Sequence, residues 1–482
     1  GAIHNVVFSA FSAEALRTRL LDSGAKFLIT ADAYYRRGKL IELKQQANKA
    51  IKGTKVKKII VVKRADTKIV KTKKDVFFNE IENMPGKCKV REIDSEHPLF
   101  ILYTSGTTGK PKGIVHSTGG YIVQAYWTAK WNFNLHEKDV IWCTADIGWI
   151  TGHTYACYGP LANGATTLLY EGSFDFPTPE RTWKIIDKYK VNVFYTAPTL
   201  LRMFMAFGEE WLKNFDGKSL NILGTVGEPI DEKTWMWFFE KVGKKRCPVI
   251  DTWWQTETGG NMINSLPGIG PFVPGFAGRS FPGTRHAVIN EGGEILKEGE
   301  GFLVQLSPFA PGMLRGIWKN KKLYIEKYWQ YKTMYFTGDG AIKKGDMFKI
   351  LGRVDDIIKV AGHRLSTAEL ENAIDKHAAV LESAVTGKPD QIKGEVPIAF
   401  VVLRKGFHAS SQLKKEIIEK VTKEIGPIAK PHEIYFVEEL PKTRSGKIMR
   451  RILKALLRNE DVGDTTTLVN PESIDKIKES LK

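Results

Sequence analysis

The chain has 482 residues, 42% apolar and 26% charged, and carries a net charge of +18 from 72 basic and 54 acidic side chains. That length calls for two or more cores, and the balance excludes a disordered or fibrous chain. Four scattered cysteines without a CxxC pair exclude a disulfide framework or a zinc site and fit a reducing cytoplasm.

In chain order, the opening stretch GAIHNVVFSAFSAEALRTRL has no signal-peptide pattern, and no apolar run is long enough to span a bilayer. The densest basic run, Lys49 to Lys74, is mixed with β-branched residues and reads as a strand with basic flanks. The runs KKIIVV, PLFILYTS, DVIWCTAD, ATTLLYEG, VNVFYTAP, LNILGTVG and CPVIDTWW each read as a buried strand ended by Gly, Pro or polar residues. Helical patterns such as Glu180–Lys190 and Asp231–Val242 lie between them. The alternation predicts α/β layers with mostly parallel sheets. After about residue 270 the texture turns to Gly- and Pro-rich short strands, a small β subdomain ending in YFTGDGAIKKGDMFKILGR. Beyond Arg353 the pattern restarts with a helix (Ser366–Lys376), a strand (Glu395–Leu403), a helix (Gln412–Ile425) and a basic tail segment. This places a domain boundary near Asp355, with a large α/β domain over 1–354 and a small mobile α+β domain over 355–482.

The segment YTSGTTGKPKG, Tyr103 to Gly113, follows one of these strands. Glycines allow close backbone approach, and hydroxyls with lysines suit a phosphate tail. It is not a Walker loop: Gly106 and Gly109 are too close, and Pro111 stands where a Mg²⁺-binding hydroxyl belongs. Taken alone, a flexible turn explains it equally well.

The same segment resembles the phosphate loop of the adenylate-forming superfamily of acyl-CoA synthetases, luciferases and peptide-synthetase adenylation domains. Four further stretches match that superfamily in its order: GEP at Gly227–Pro229, DTWWQTETG at Asp251–Gly259, TGD with GRVDD at Thr337–Asp339 and Gly352–Asp356, and PKTRSGK at Pro441–Lys447. ADIGWITGHTYACYGPLANGATTLLYEG, AGHRLSTAELE and PKTRSGKIMRR are similar to the AMP-forming acetyl-CoA synthetases in particular. The resemblance runs from Gly1 to about Pro471.

It implies a ligase that activates acetate with ATP and Mg²⁺, then passes the acyl group to coenzyme A. Thr104, Ser105, Gly106, Thr107, Thr108, Gly109 and Lys110 would hold the phosphates. Gly227, Glu228, Pro229, Asp251, Thr252, Trp253, Trp254 and Gln255 would line the adenine and α-phosphate. Thr256 and Arg364 would bind the α-phosphate, and Glu257 the Mg²⁺, since a carboxylate beside a triphosphate needs a hard cation between them. Asp339 would accept from both ribose hydroxyls, with Arg353 at the ribose or phosphate. Lys447 would bridge carboxylate and phosphate during adenylation only and then withdraw as the C-terminal domain turns about Asp355. His377, with the backbone near Asp375 and Val380, matches a family metal position; a histidine at a helix end is read here as structural.

Ile150, Thr151, Val226 and Trp254 would enclose the acyl group, the tryptophan filling the volume a longer chain needs. One methylene is worth only about 1–3 kcal/mol, so propionate and 3-hydroxypropionate stay open as alternatives to acetate. For coenzyme A the resemblance implies Arg36, Lys39, Thr151, Ala361 and Gly362. Here the chain departs from the family: Lys39 and Thr422 replace arginines, Asp175 an asparagine, and Ala361 a serine, so weaker or rearranged CoA contacts are expected. The family's N-terminal segment is not matched, and an open sheet edge is expected near the start. The rival readings are an inactive fragment, transfer to a carrier protein, and a basic nucleic-acid-binding module built on KTRSGKIMRR. Small-molecule partners, no nucleic acid and no membrane are expected, with acylation of Lys447 as a possible off-switch. Oligomeric state is not legible.

Overall fold

The computed structural model describes residues 1–9, 11–104, 111–354, 357–360, 363–390, 394–443 and 446–481. They form two compact units, Gly1–Arg285 with Ser307–Lys327, and His286–Leu306 with Tyr328–Lys482. The boundary expected at Asp355 falls within the second unit, on a residue outside the described set.

The first unit is layered α/β. Its first sheet joins Phe27–Ala31, Lys58–Val62 and Asp75–Phe77, all parallel. Lys58–Val62 buries only alternate residues, with Ile59 and Val61 packed on Leu20, Ala50 and Phe77. Phe27–Ala31 forms the sheet edge, and Phe27 and Ile29 are exposed on it.

The second sheet is the one that positions the site. Its order is Val249–Asp251, Ile222–Thr225, Val193–Thr196, Val140–Cys143, Thr166–Thr167, with every pair parallel. Side chains alternate between two cores: Trp142, Phe194, Leu223 and Val249 enter one, while Ile141, Val193, Ile222 and Ile250 enter the other. A sheet covered on both faces needs apolar residues at consecutive positions, which is why these strands read as unbroken runs. ATTLLYEG gives only two residues of strand.

PLFILYTS departs from the parallel expectation. Pro98–Thr104 pairs antiparallel with Lys112–Ser117, which pairs in turn with Gly316–Ile317. The helix that follows, Thr118–Asn132, carries no local signal strong enough to announce it. Its Gly119 and Gly120 are required by contact: a Cβ on Gly120 would stand 2.0 Å from the Pro311 carbonyl oxygen.

In the second unit a five-stranded sheet runs Ile295–Leu296, Arg285–Ile289, Gly299–Leu306, Tyr335–Lys344, Met347–Arg353. The C-terminal part places Val380–Asp390 antiparallel to Gly394–Leu403, with Glu433–Phe436 parallel to the latter. Helices Thr367–Asp375 and Ser411–Glu424 cover one face, and the expected basic tail segment contains the helix Arg450–Arg458, which buries Ile452, Leu453 and Leu456. No helix among the described residues is long and apolar enough to cross a membrane.

Candidate active site

The parallel sheet sets where ligands can bind. From strand Val140–Cys143 the chain passes to Thr166–Thr167 on one side and then returns to Val193–Thr196 on the other. A crevice therefore opens at the carboxyl ends of these strands, the usual ligand position in open α/β sheets. The predicted residues of the first unit leave from those ends: Ile150 and Thr151 after Cys143, Val226–Pro229 after Thr225, Thr252–Glu257 after Asp251.

Gly227 has φ +95°, a value only glycine adopts readily, and no heavy atom lies within 4 Å of where a Cβ would stand. Glu228 turns the other way. Its carboxylate accepts from the Thr199 N–H at 2.6 Å and from the Thr199 hydroxyl, and pairs with Arg202 at 2.9 Å. It thereby supplies a negative charge at the N-terminus of helix Pro198–Phe207, where the helix dipole favours one. These bonds tie the side chain to the scaffold, and neither Thr199 nor Arg202 is recognisable as its partner from sequence.

Around Asp251 the polar groups are buried and mutually satisfied. The Thr225 hydroxyl donates to Asp251 Oδ1 at 2.9 Å. The Thr252 N–H and hydroxyl both donate to the Thr225 carbonyl, at 3.0 and 2.7 Å. Burial pushes the Asp251 carboxyl up to about 7, against the two hydrogen bonds that favour its charged form. Trp253 bridges Ile263 through its backbone.

Gln255 and Thr258 cap a short 3₁₀ turn, Thr256–Thr258, and His116 holds it from beneath. One ring nitrogen of His116 lies 2.7 Å from the Thr256 carbonyl oxygen and the other 2.9 Å from that of Gly312. Burial pulls this ring down to about 4, opposed by those two acceptors and by the Glu257 charge. Glu257 is half-buried, and its carbonyl accepts from the Leu314 N–H at 2.7 Å. No group of three or more His, Cys, Asp or Glu side chains able to hold a metal occurs among the described residues. A single oxygen donor of this kind fits Mg²⁺ only as an ion shared with phosphate oxygens.

Thr104 ends the strand leading into the phosphate loop, paired opposite the buried Lys112. Its hydroxyl is buried and has no hydrogen-bond partner among the described residues. Ser105, Gly106, Thr107, Thr108, Gly109 and Lys110 lie outside them.

The predicted acyl residues come together. Trp254 packs both on the core that contains Val226 and on the one that contains Ile150. Its indole N–H donates to the Tyr195 hydroxyl at 3.2 Å, and its ring meets Tyr155 edge-on, centroids 5.1 Å apart. Thr151 is half-buried in the turn of helix that starts at Ile150.

Arg36 and Lys39 stand directly opposite each other in a two-residue hairpin whose turn, Arg37–Gly38, has φ of 48° and 73°. Like charges facing across a ladder repel, and an anion laid between them relieves that repulsion. Arg37 reaches Asp175 at 2.6 Å and Ser173 at 3.2 Å. The Asp175 charge, expected to be unhelpful to a polyanion, is therefore matched by an arginine the sequence reading had not singled out.

In the second unit Asp339 and Arg353 sit opposite each other on adjacent strands, with side chains 3.4 Å apart. Arg353 also donates to the Thr337 carbonyl at 3.0 Å, and it lies so close over Gly338 that a Cβ there would be 2.7 Å from its Nη2. Lys447 is exposed on a tight turn closed by the Thr443 N–H to the Lys447 carbonyl at 2.8 Å. Arg364 lies in the strand His363–Ser366 opposite Lys359, and its side chain falls outside the described residues, as do Asp355, Ala361 and Gly362. His377 accepts from the Ala379 N–H at 3.2 Å and faces Glu416 at 3.6 Å, and Thr422 bonds back to Ile418 within its helix. Much of the basic segment is engaged internally: Lys442 with Glu382, Arg450 with Glu371, and Arg451 with the Val462 and Asp464 carbonyls.

The AMP-binding enzyme model matches residues 1–318, and the AMP-binding enzyme C-terminal domain model matches 369–447. An acetyl-coenzyme A synthetase of Pyrobaculum aerophilum is 49% identical over 493 aligned positions, covering 100% of this chain and 73% of that protein. Another, from Methanothrix thermoacetophila, is 47% identical over 99% of this chain and 74% of its own length. Among solved structures, that of the anthranilate CoA ligase AuaEII in complex with anthranoyl-AMP superposes with a TM-score of 0.81 at 25% identity, over 95% of this chain and 83% of that one. The chain belongs to the AMP-binding enzyme family, the adenylate-forming ligases, and within it groups with the acetyl-coenzyme A synthetases.

Proposed function

We propose that the chain joins acetate to coenzyme A in two half-reactions, consuming ATP and releasing diphosphate and AMP, through an acetyl-adenylate. The observation that carries this reading is identity of 47% to 49% along essentially the whole chain with proteins named acetyl-coenzyme A synthetase.

In the first half-reaction a carboxylate oxygen attacks the α-phosphorus, the new P–O bond forms, and diphosphate leaves. Both partners are anionic, so the protein supplies alignment and charge screening. The loop Thr104–Lys110 grips the phosphates; the unpartnered Thr104 hydroxyl at its root supports that role. Gly227 and the segment Asp251–Gln255 flank the adenine, with Glu228 and Pro229 holding the turn. Thr256 and Arg364 bond the α-phosphate, Asp339 takes the ribose hydroxyls, and Arg353 stands beside it. Glu257 would hold Mg²⁺, which when bound neutralises phosphate charge. Lys447 bridges the carboxylate and phosphate oxygens as they close.

In the second half-reaction the domain 355–482 turns about Asp355, Lys447 withdraws, and Ala361 and Gly362 line the thiol path. The CoA sulfur attacks the acyl carbon, its proton is lost, the C–S bond forms, and the acyl–oxygen bond to AMP breaks. Arg36, Lys39 and Thr151 receive CoA, and the facing charges of Arg36 and Lys39 support an anion at that hairpin. Ile150, Val226 and Trp254 confine the acyl group to acetate or propionate. The enzyme works in the cytoplasm, where its four free cysteines stay reduced, and acylation of Lys447 would silence its first step.

The test is diphosphate release from Mg·ATP and acetate, with and without CoA. Acetate-dependent release that turns over only with CoA is expected; folded protein that releases none overturns the reading.

A further inference from the structure

Trp254 is partly buried, and among the described residues its indole N–H has one hydrogen bond, to Tyr195. An indole nitrogen can only donate, so the Tyr195 oxygen accepts, at 3.2 Å. The Tyr195 proton then points the other way, to the Thr252 hydroxyl at 2.6 Å, and Thr252 passes its own proton to the Thr225 carbonyl at 2.7 Å. Donation runs in a single sense along the chain, ending on the backbone of a central strand.

Tyr195 itself is firmly held, by packing and by its bond to Thr252. It is fully buried, with Phe133 and Tyr155 rings 4.9 and 5.4 Å away. It rests on Gly224, where an added Cβ would come within 2.6 Å of its ring. The tyrosine is thus a rigid post, and the indole is the group it tethers.

We propose that Tyr195 is a specificity-positioning residue: it sets the acyl-size limit by tying the Trp254 indole into the acyl pocket. This rests on the reading of Trp254 as the pocket wall. A tryptophan in that place excludes longer acids only while it is held there. With the tether cut, packing alone holds the indole; it turns aside more readily and the pocket lengthens.

The test measures kcat/KM for butyrate and for acetate at saturating ATP and CoA, in the native chain, Tyr195→Phe and Trp254→Gly. Tyr195→Phe keeps the ring and removes one oxygen; the butyrate-to-acetate ratio is expected to rise about 10-fold, on the scale of one to two methylenes. A merely structural role would lower both acids alike and leave the ratio unmoved. If Trp254→Gly raises the ratio and folded Tyr195→Phe does not, the tether is overturned and the wall stands. If neither raises it, the wall reading falls and takes the tether with it. Should Tyr195→Phe fail to fold, Thr252→Val loosens the same post from the far side. An approximately threefold rise is expected there, an unchanged ratio overturns the proposal, and the ratio cancels any loss in ATP binding.

Discussion

The strand-end crevice of the first unit and the Lys447 turn of the second are built on opposite principles. At the crevice, Thr225, Asp251, Thr252 and Tyr195 are buried and bonded to one another, and nothing there can move without leaving a polar group unpaired. Lys447 is exposed on a turn whose backbone closes through Thr443. Recognition of a fixed shape suits the first arrangement; a charge needed for one step and not the next suits the second.

The sharpest way to break the contrast is Lys447→Ala. Acetate-dependent diphosphate release should fall by about 10³-fold, as when a charge-stabilising donor is removed, while thioester formation from supplied acetyl-adenylate stays near the native rate. Equal loss of both would make Lys447 a structural residue.

At the rigid pole, Asp251 tests how much stability the crevice gives up for its polarity. With a folded pKa of about 7 against 3.8, the folded carboxyl keeps its proton while the unfolded one loses it. Stability contributed by the neutral acid is present below about pH 4 and falls as pH rises towards 7, by about 4 kcal/mol in all. Denaturation midpoints should fall over that range in the native chain and fall less in Asp251→Asn; parallel curves would refute it.

The smallest effect is expected at the hairpin. Arg37→Ala removes the cation paired with Asp175 beside the hairpin proposed to receive CoA, and should raise the CoA KM about fivefold, with ATP and acetate KM unchanged. Adding Asp175→Asn should bring it back, the non-additive result expected of contacting charges. Simple additivity would mean the pair is only a surface bridge.

Both regions were legible as motifs, unequally as structures. DTWWQTETG and GEP locate the crevice, yet nothing in GEP shows that Glu228 is engaged by Thr199 and Arg202 from another helix. Asp175 read as a liability because its partner, Arg37, lies over a hundred residues away in sequence. The helix Thr118–Asn132 is hard to read from sequence because glycines, aromatic and β-branched residues hide its propensity; its glycines answer to close contacts with Ser95 and Pro311.

From the amino-acid sequence alone come the α/β class, much of the order of strands and helices, and the motifs rich in glycine, hydroxyl and charged residues. These follow from local periodicity and from side-chain chemistry that is the same in any surroundings. Tertiary contacts alone settle that the strand in PLFILYTS pairs antiparallel with Lys112–Ser117, that the tail segment's arginines are engaged by Glu371 and backbone carbonyls, and that Tyr195 stands behind Trp254. Each of these depends on contacts between residues far apart in the chain, and the free energy of such a contact is not written in either partner alone.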